Sequence, residues 1–133
     1  MVTPYFVKLV AGNVMHSASV DSLPATYYVA LSTTVPADDG TGFTEVSGGS
    51  YARAVFGPGS VPEDGLVSNL NDIEYQECTE SWGVVKAFAL YDAAIGGNLL
   101  TWDKLNTPQT VVAGNQVRFK PGALKTTFSA DTV

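Results

Sequence analysis

The segment Val84-Val85-Lys86-Ala87-Phe88-Ala89-Leu90-Tyr91-Asp92-Ala93-Ala94-Ile95-Gly96-Gly97-Asn98-Leu99-Leu100-Thr101-Trp102 decides how this chain folds. Between positions 85 and 92 the polar–apolar alternation of a half-exposed strand is missing. Val85, Ala87, Ala89 and Tyr91 make one apolar face, and Phe88 and Leu90 make the other. A strand apolar on both sides must be covered on both sides, so this one is read as the central strand of a sheet. Gly96-Gly97-Asn98 permits the positive φ of a tight hairpin and returns the chain into Leu99-Leu100-Thr101-Trp102.

Outward from this hairpin, short runs rich in β-formers recur at 27–32, 51–56, 72–77, 109–112, 116–119 and 124–128. The breaks between runs are Gly57-Pro58-Gly59, Pro62-Glu63-Asp64-Gly65, Thr107-Pro108, Ala113-Gly114-Asn115 and Pro121-Gly122. Val111 to Val117 reads as a second hairpin. Such spacing predicts a mainly β, single-domain antiparallel β-sandwich or open barrel over residues 1–133. One helix is expected, over 3–16, with Thr3 as its cap, Pro4 at the first helical position, and Phe6, Leu9, Val10 and Val14 as its apolar stripe. Residues 33–50, with Pro36, Asp38, Asp39 and four glycines, form a loop too long for a plain connector, read as a functional arm or a mobile excursion.

Charged residues make up only 15% of the chain, so the polar surface rests largely on Ser, Thr, Asn, Gln and Gly, as in proteins that pack against copies of themselves or neighbours. With 7 basic residues against 13 acidic ones, scattered apart from Arg118 and Lys120, the net charge of −6 argues against a nucleic-acid partner. No apolar run approaches the ~20 residues of a membrane span, and the N-terminus lacks the basic region of a signal peptide. A bacterial or viral cytoplasmic product is expected.

Candidate chemistry is sparse. Cys78 is the single cysteine, which leaves an inert thiol or an intermolecular disulfide. One His and one Cys cannot furnish a zinc site, and His16 sits beside Ser17 and Ser19 at a helix end, where its charge suits the helix dipole better than a triad. Asp38/Asp39 and Glu63/Asp64 fall in Gly- and Pro-rich loops, while Glu74, Gln76 and Cys78 alternate with Ile73, Tyr75 and Glu77 as a polar outer face. Neither arrangement resembles paired glycosidase acids or an EF-hand loop. The glycines of Thr41-Gly42 and Ser47-Gly48-Gly49 read as turn formers, since no Gly-Lys-Ser/Thr follows. Phe88, Tyr91 and Phe119 are assigned to the core; Trp82 and Trp102 are left open between core and contact surface. Arg53 is an ion-pair candidate, inward or at the surface, in a stretch otherwise poor in charge.

Four stretches carry a resemblance that covers most of the chain. They are Pro24-Ala25-Thr26-Tyr27-Tyr28-Val29-Ala30-Leu31-Ser32-Thr33-Thr34-Val35-Pro36, Thr44-Glu45-Val46-Ser47-Gly48-Gly49-Ser50-Tyr51-Ala52-Arg53, the segment from Trp82 to Leu100, and Val112-Ala113-Gly114-Asn115-Gln116-Val117-Arg118-Phe119 through Pro121-Gly122-Ala123-Leu124. In order and spacing the chain resembles small bacteriophage structural proteins labelled tail fibre proteins, whose first strand also follows a short helix. The resemblance implies a virion component with no enzymatic activity, no catalytic residues and no cofactor or metal. Size favours a capsid decoration (cement) protein on the head, bound to the major capsid protein. The alternative is a tail fibre, baseplate or receptor-binding module that contacts tail proteins and host glycan. Both expect a homo-oligomer, most naturally a trimer. Candidate interface residues are Phe6, Leu9, Val10, Asp38, Asp39, Phe43, Trp82 and Trp102. A small glycan-cleaving β-sandwich enzyme using Asp38 and Asp39 is the competing class.

Overall fold

In the computed structural model, the described residues are 2–19, 21–57 and 66–127. The breaks expected at 58–59 and 62–65, the Glu63/Asp64 pair and Phe128 lie outside them. The fold is mainly β with one helix. In chain order the elements are α1 (Pro4–Val14), β1 (Tyr27–Ser32), β2 (Ala54–Phe56), β3 (Leu66–Ser68), β4 (Ile73–Glu74), β5 (Gly83–Tyr91), β6 (Leu99–Val111), β7 (Arg118–Phe119) and β8 (Lys125–Thr127). Strands β2-β1-β5-β6 form one antiparallel sheet, and β3–β8 and β4–β7 form two antiparallel ribbons. Sheet and ribbons together give the expected antiparallel, sandwich-like arrangement.

As its sequence dictates, β5 lies inside the sheet between β1 and β6. Its register with β1 pairs Val29 with Leu90 and Leu31 with Phe88, and pairs Ala30 with Ala89 and Ser32 with Ala87. Alternation sends the first two pairs to one face and the last two to the other. The heavy face closes the main core with Val46, Phe56, Ile73, Tyr75, Cys78, Trp82 and Leu124. Three rings interlock there: Tyr51 stacks on Tyr75 at 6.0 Å, and Trp82 meets Tyr51 edge-on at 5.4 Å. The buried Tyr75 hydroxyl donates to Val29 O at 2.6 Å, tying this layer to β1.

The light face carries Ala30, Ala87 and Ala89, all wholly buried, together with Trp102, which pairs with Ala89. Here the 33–50 segment departs from expectation: it is neither an arm nor an excursion, because it folds back on the sheet. Thr33 N–H donates to Thr44 O at 3.1 Å and Val46 N–H donates to Leu31 O at 3.0 Å, satisfying the part of β1 that β2 leaves unpaired. The Ser32 hydroxyl oxygen accepts from the N–H groups of Thr34 and Thr44 at 3.1 and 3.0 Å. At Gly40 the loop comes so close that a Cβ would lie 3.1 Å from Thr3 Cγ2 and 3.2 Å from Leu99 Cδ2.

Thr3 caps α1 as expected, its Oγ1 accepting from Phe6 N–H at 3.3 Å. The same hydroxyl lies 2.9 and 3.0 Å from the carbonyls of Leu99 and Leu100, and Thr3 N–H donates to Leu100 O at 2.9 Å. The cap therefore also docks the helix on β6. Phe6 and Leu9 are buried against Val2 and Leu100, whereas Val14, placed on the apolar stripe, is 67% exposed. The buried stripe therefore ends one turn early.

Four further expectations are corrected. The two strands expected at 99–102 and 109–112 are one, β6. Its ladder runs from Ala87↔Lys104 to Val85↔Gln109, so Lys86 alone faces four residues ending in Pro108. Proline, lacking a donor, interrupts the ladder as a bulge and does not end the strand. The second hairpin is absent: after Val111 the chain turns at Gly114 and leaves the sheet, and β7 pairs with β4. Strand β3 went unpredicted because three residues beside a turn carry no periodicity, and the runs at 51–56 and 72–77 shorten to Ala54–Phe56 and Ile73–Glu74. Cys78, placed on a polar outer face, is 1% exposed because the alternation slips after Gln76; a thiol so enclosed is inaccessible for a bond to a second chain.

Gly49 sits in a tight turn packed against backbone. Its φ is +57°, its carbonyl accepts from Trp82 Nε1 at 3.0 Å, and an added Cβ would meet Glu80 O at 2.6 Å. Gly49→Ala is expected to destabilise the protein by about 2–4 kcal/mol, through strain at positive φ and a backbone clash. Urea unfolding measures this; a loss below about 0.5 kcal/mol, the range of neutral surface changes, would refute the tight packing.

Candidate functional site

Arg53 turns inward. Its side chain is 6% exposed and grips Glu45 with two parallel bonds, Nε to Oε2 and Nη2 to Oε1, both 2.8 Å. Nη1 donates to Ala93 O at 2.8 Å and to Gly96 O at 2.6 Å, and the guanidinium carbon lies 3.8 Å from the Tyr91 ring centroid. Four of the five guanidinium N–H groups are thereby used, which a lysine cannot reproduce. Tyr51 donates to Glu45 Oε2 at 2.8 Å and accepts from Leu31 N–H at 3.0 Å. Burial works to raise the Glu45 pKa, but bonds from Arg53 and Tyr51 outweigh it and hold the carboxyl below its ordinary value. Burial, with the Glu45 charge adding to it, pushes the Tyr51 phenol well up. The pair is thus ionised and the phenol neutral at physiological pH.

The result is a braced loop between β5 and β6. Asp92 Oδ1 accepts from Asn98 N–H at 2.7 Å, and Arg53 holds the carbonyls on either side of the tip. Ile95 projects from that tip with 92% of its surface exposed. A second open feature lies where the expected hairpin fails to form. β6 and the stretch leading into β7 diverge, leaving a polar groove of about 410 Å³ lined by Gln109, Thr110, Val111, Asn115, Gln116, Val117, Arg118 and Phe119. An apolar groove of about 230 Å³ opens beside α1, lined by Val10, Leu23, Tyr27 and Leu100 among others.

The sequence-predicted interface residues do not assemble into one surface. Phe6 and Leu9 are buried beneath α1, and Val10 is half-buried at the apolar groove. Asp38 and Asp39 are exposed in the folded-back loop. Asp39 Oδ1 accepts from Thr41 N–H at 3.0 Å and Thr41 Oγ1 at 2.7 Å, bonds that lower its pKa and organise the turn itself. Phe43 is half-buried with its ring 5.9 Å from that of Tyr91. Trp82 and Trp102 are core residues, 5% and 7% exposed, which corrects their candidacy as ligand contacts: their area contributes most where water is excluded. His16 is exposed beyond α1, and Ser17 and Ser19 bond each other at 2.8 Å. Sequence reasoning missed the Arg53 contacts to Ala93 and Gly96, Ile95, and the polar groove. The lone arginine among uncharged neighbours was the available signal for the first.

A family model described as podophage GP4 fiber I protein gp80 matches residues 7–127. The chain belongs to this family. It is accordingly a phage fibre-type structural protein of the virion, in agreement with the resemblance read from the four stretches. No curated protein matches it. The match runs from α1 to the end of β8, so the fibre-family region includes the Arg53 brace, the Ile95 tip and both grooves. The family's description names a fibre and so favours the tail alternative over decoration of the head.

Removing one partner of the half-buried pair exposes its weight. Arg53→Met is expected to cost about 2 kcal/mol in urea unfolding, because the half-buried Glu45 loses its cation and the Ala93 and Gly96 carbonyls lose their donor. The acid dependence has a definite sign. Glu45 is depressed in the folded state, so its contribution is full above the unfolded carboxylate value of about 4.3 and is lost as pH falls through the lower folded value. The stability gap between wild type and Glu45→Gln should therefore close on acidification; a gap unchanged from pH 7 down to the acid limit would contradict the ion pair.

Proposed function

We propose that this chain is a non-enzymatic subunit of a phage tail appendage, a short fibre or receptor-binding module, that works as a homo-oligomer, a trimer. The observation that carries the reading is the family match over residues 7–127, whose description names a fibre protein. Two features support it. The half-buried Glu45 keeps both oxygens on Arg53 and Tyr51, an arrangement suited to bracing and unsuited to passing protons. The Ile95 loop is held rigid before any partner arrives, which lowers the ordering cost of an assembly contact. Decoration of the head rests on chain size alone and is set behind.

Immunogold labelling of purified particles is expected to place this chain on the tail, and light scattering of the purified protein to give three times the monomer mass. Gold over the head shell would replace the fibre reading with decoration. A stable monomer at micromolar concentration would remove the trimer.

A further inference from the structure

We infer that the polar groove between the end of β6 and β7 is a binding site for neutral saccharide, an inference that rests on the fibre reading above and gives it a contact surface. At about 410 Å³ the groove has the size of a small-ligand site. Its lining supplies the groups a sugar needs: carboxamides from Gln109, Asn115 and Gln116, the Thr110 hydroxyl, and the half-buried ring of Phe119.

Most of these groups are already fixed in place. Gln109 Nε2 donates to Thr107 O at 3.2 Å and Gln116 Nε2 to Tyr75 O at 3.0 Å, so each carboxamide is anchored by one N–H. The Asn115 backbone accepts from Cys78 N–H at 2.8 Å and donates to Val112 O at 3.0 Å. Phe119 is steadied edge-on by Tyr75, with ring centroids 6.4 Å apart. Among the described residues, the side chains of Thr110 and Asn115 make no hydrogen bond, which leaves them available to a ligand.

Charge selects the class. Arg118 is the one cation of the lining, and it is neutralised: its Nε donates to Glu74 Oε1 at 2.9 Å, its Nη2 contacts the same oxygen, and Asp72 Oδ2 lies 3.8 Å away. An anionic ligand would meet the two carboxylates that offset the Arg118 charge, whereas a polyhydroxyl ligand meets donors and acceptors of both senses. An added peptide strand is disfavoured, because the bulge ending at Pro108 breaks the β6 edge and leaves only Gln109–Val111 in register. Weak binding at one groove suffices in a fibre, where several copies engage together.

The test is a titration of the isotopically labelled full chain with neutral glucan, mannan, galactan and rhamnan oligosaccharides, and with oligosialic acid as the anionic member, followed by amide chemical shifts. The expected result is saturable shifts centred on Gln109, Thr110, Asn115, Gln116 and Phe119 for at least one neutral oligosaccharide. Asn115→Ala should weaken that binding at least tenfold with an unchanged thermal midpoint, and Thr110→Arg, which fills the groove from an exposed position, should abolish it. Shifts centred elsewhere, binding by oligosialic acid alone, unaltered binding in both variants, or no binding by any member would each overturn the inference. In any of these outcomes, gold on the tail would leave the fibre reading standing.

Discussion

The guanidinium of Arg53 is the point on which the rest of the structure depends. A buried charge is tolerated only when paired and fully bonded. Meeting that requirement draws together segments distant in the chain: Glu45 from the folded-back loop, Tyr91 at the end of the central strand, and the Ala93 and Gly96 carbonyls of the next turn. Through Tyr51 the same carboxylate reaches Leu31 N–H in β1. One polar node thus fixes how the loop, the first strand and the tip meet, which apolar packing, being non-directional, does not do by itself.

The two faces of the main sheet solve different packing problems. Valine, leucine and phenylalanine on the heavy face need a second layer, and the β3–β8 and β4–β7 ribbons with the Tyr51–Tyr75–Trp82 cluster supply it. Alanines give the light face little height, and the 33–50 segment folds back along the free part of β1, with its Val46 joining the main core. That pairing explains why a segment with the composition of a free arm is instead held against the sheet. It also accounts for Gly40, where a side chain would crowd Thr3 and Leu99 and lift the loop off the helix cap.

For a fibre-family protein, the consequence is a packed scaffold that presents separate open features. Ile95 stands on a braced turn, and the polar groove lies where β6 and β7 part. The large aromatic side chains that composition offered as contact surface are mostly committed to the interior. Surface polarity carried by amides and hydroxyls, with only 15% charged residues, suits contacts that do not depend on long-range attraction.

Much of the local structure was legible in the sequence. Thr3-Pro4 marked the helix start, the doubly apolar run marked the central strand, Tyr27 to Ser32 marked β1 to the residue, and Gly96-Gly97-Asn98 marked the hairpin. These are short-range signals, set by capping, alternation and allowed φ. The four stretches also carried the family. Only the tertiary structure decided that β6 runs through Pro108, that β7 seeks β4 and not β6, and that Trp82 and Trp102 are core. It alone joined Arg53 to Glu45, Ala93 and Gly96 and opened the groove at Gln109–Phe119. Each of these depends on which edge, carbonyl or ring arrives from elsewhere in the chain, and spacing along a sequence encodes the period of an element but not the partner that meets it.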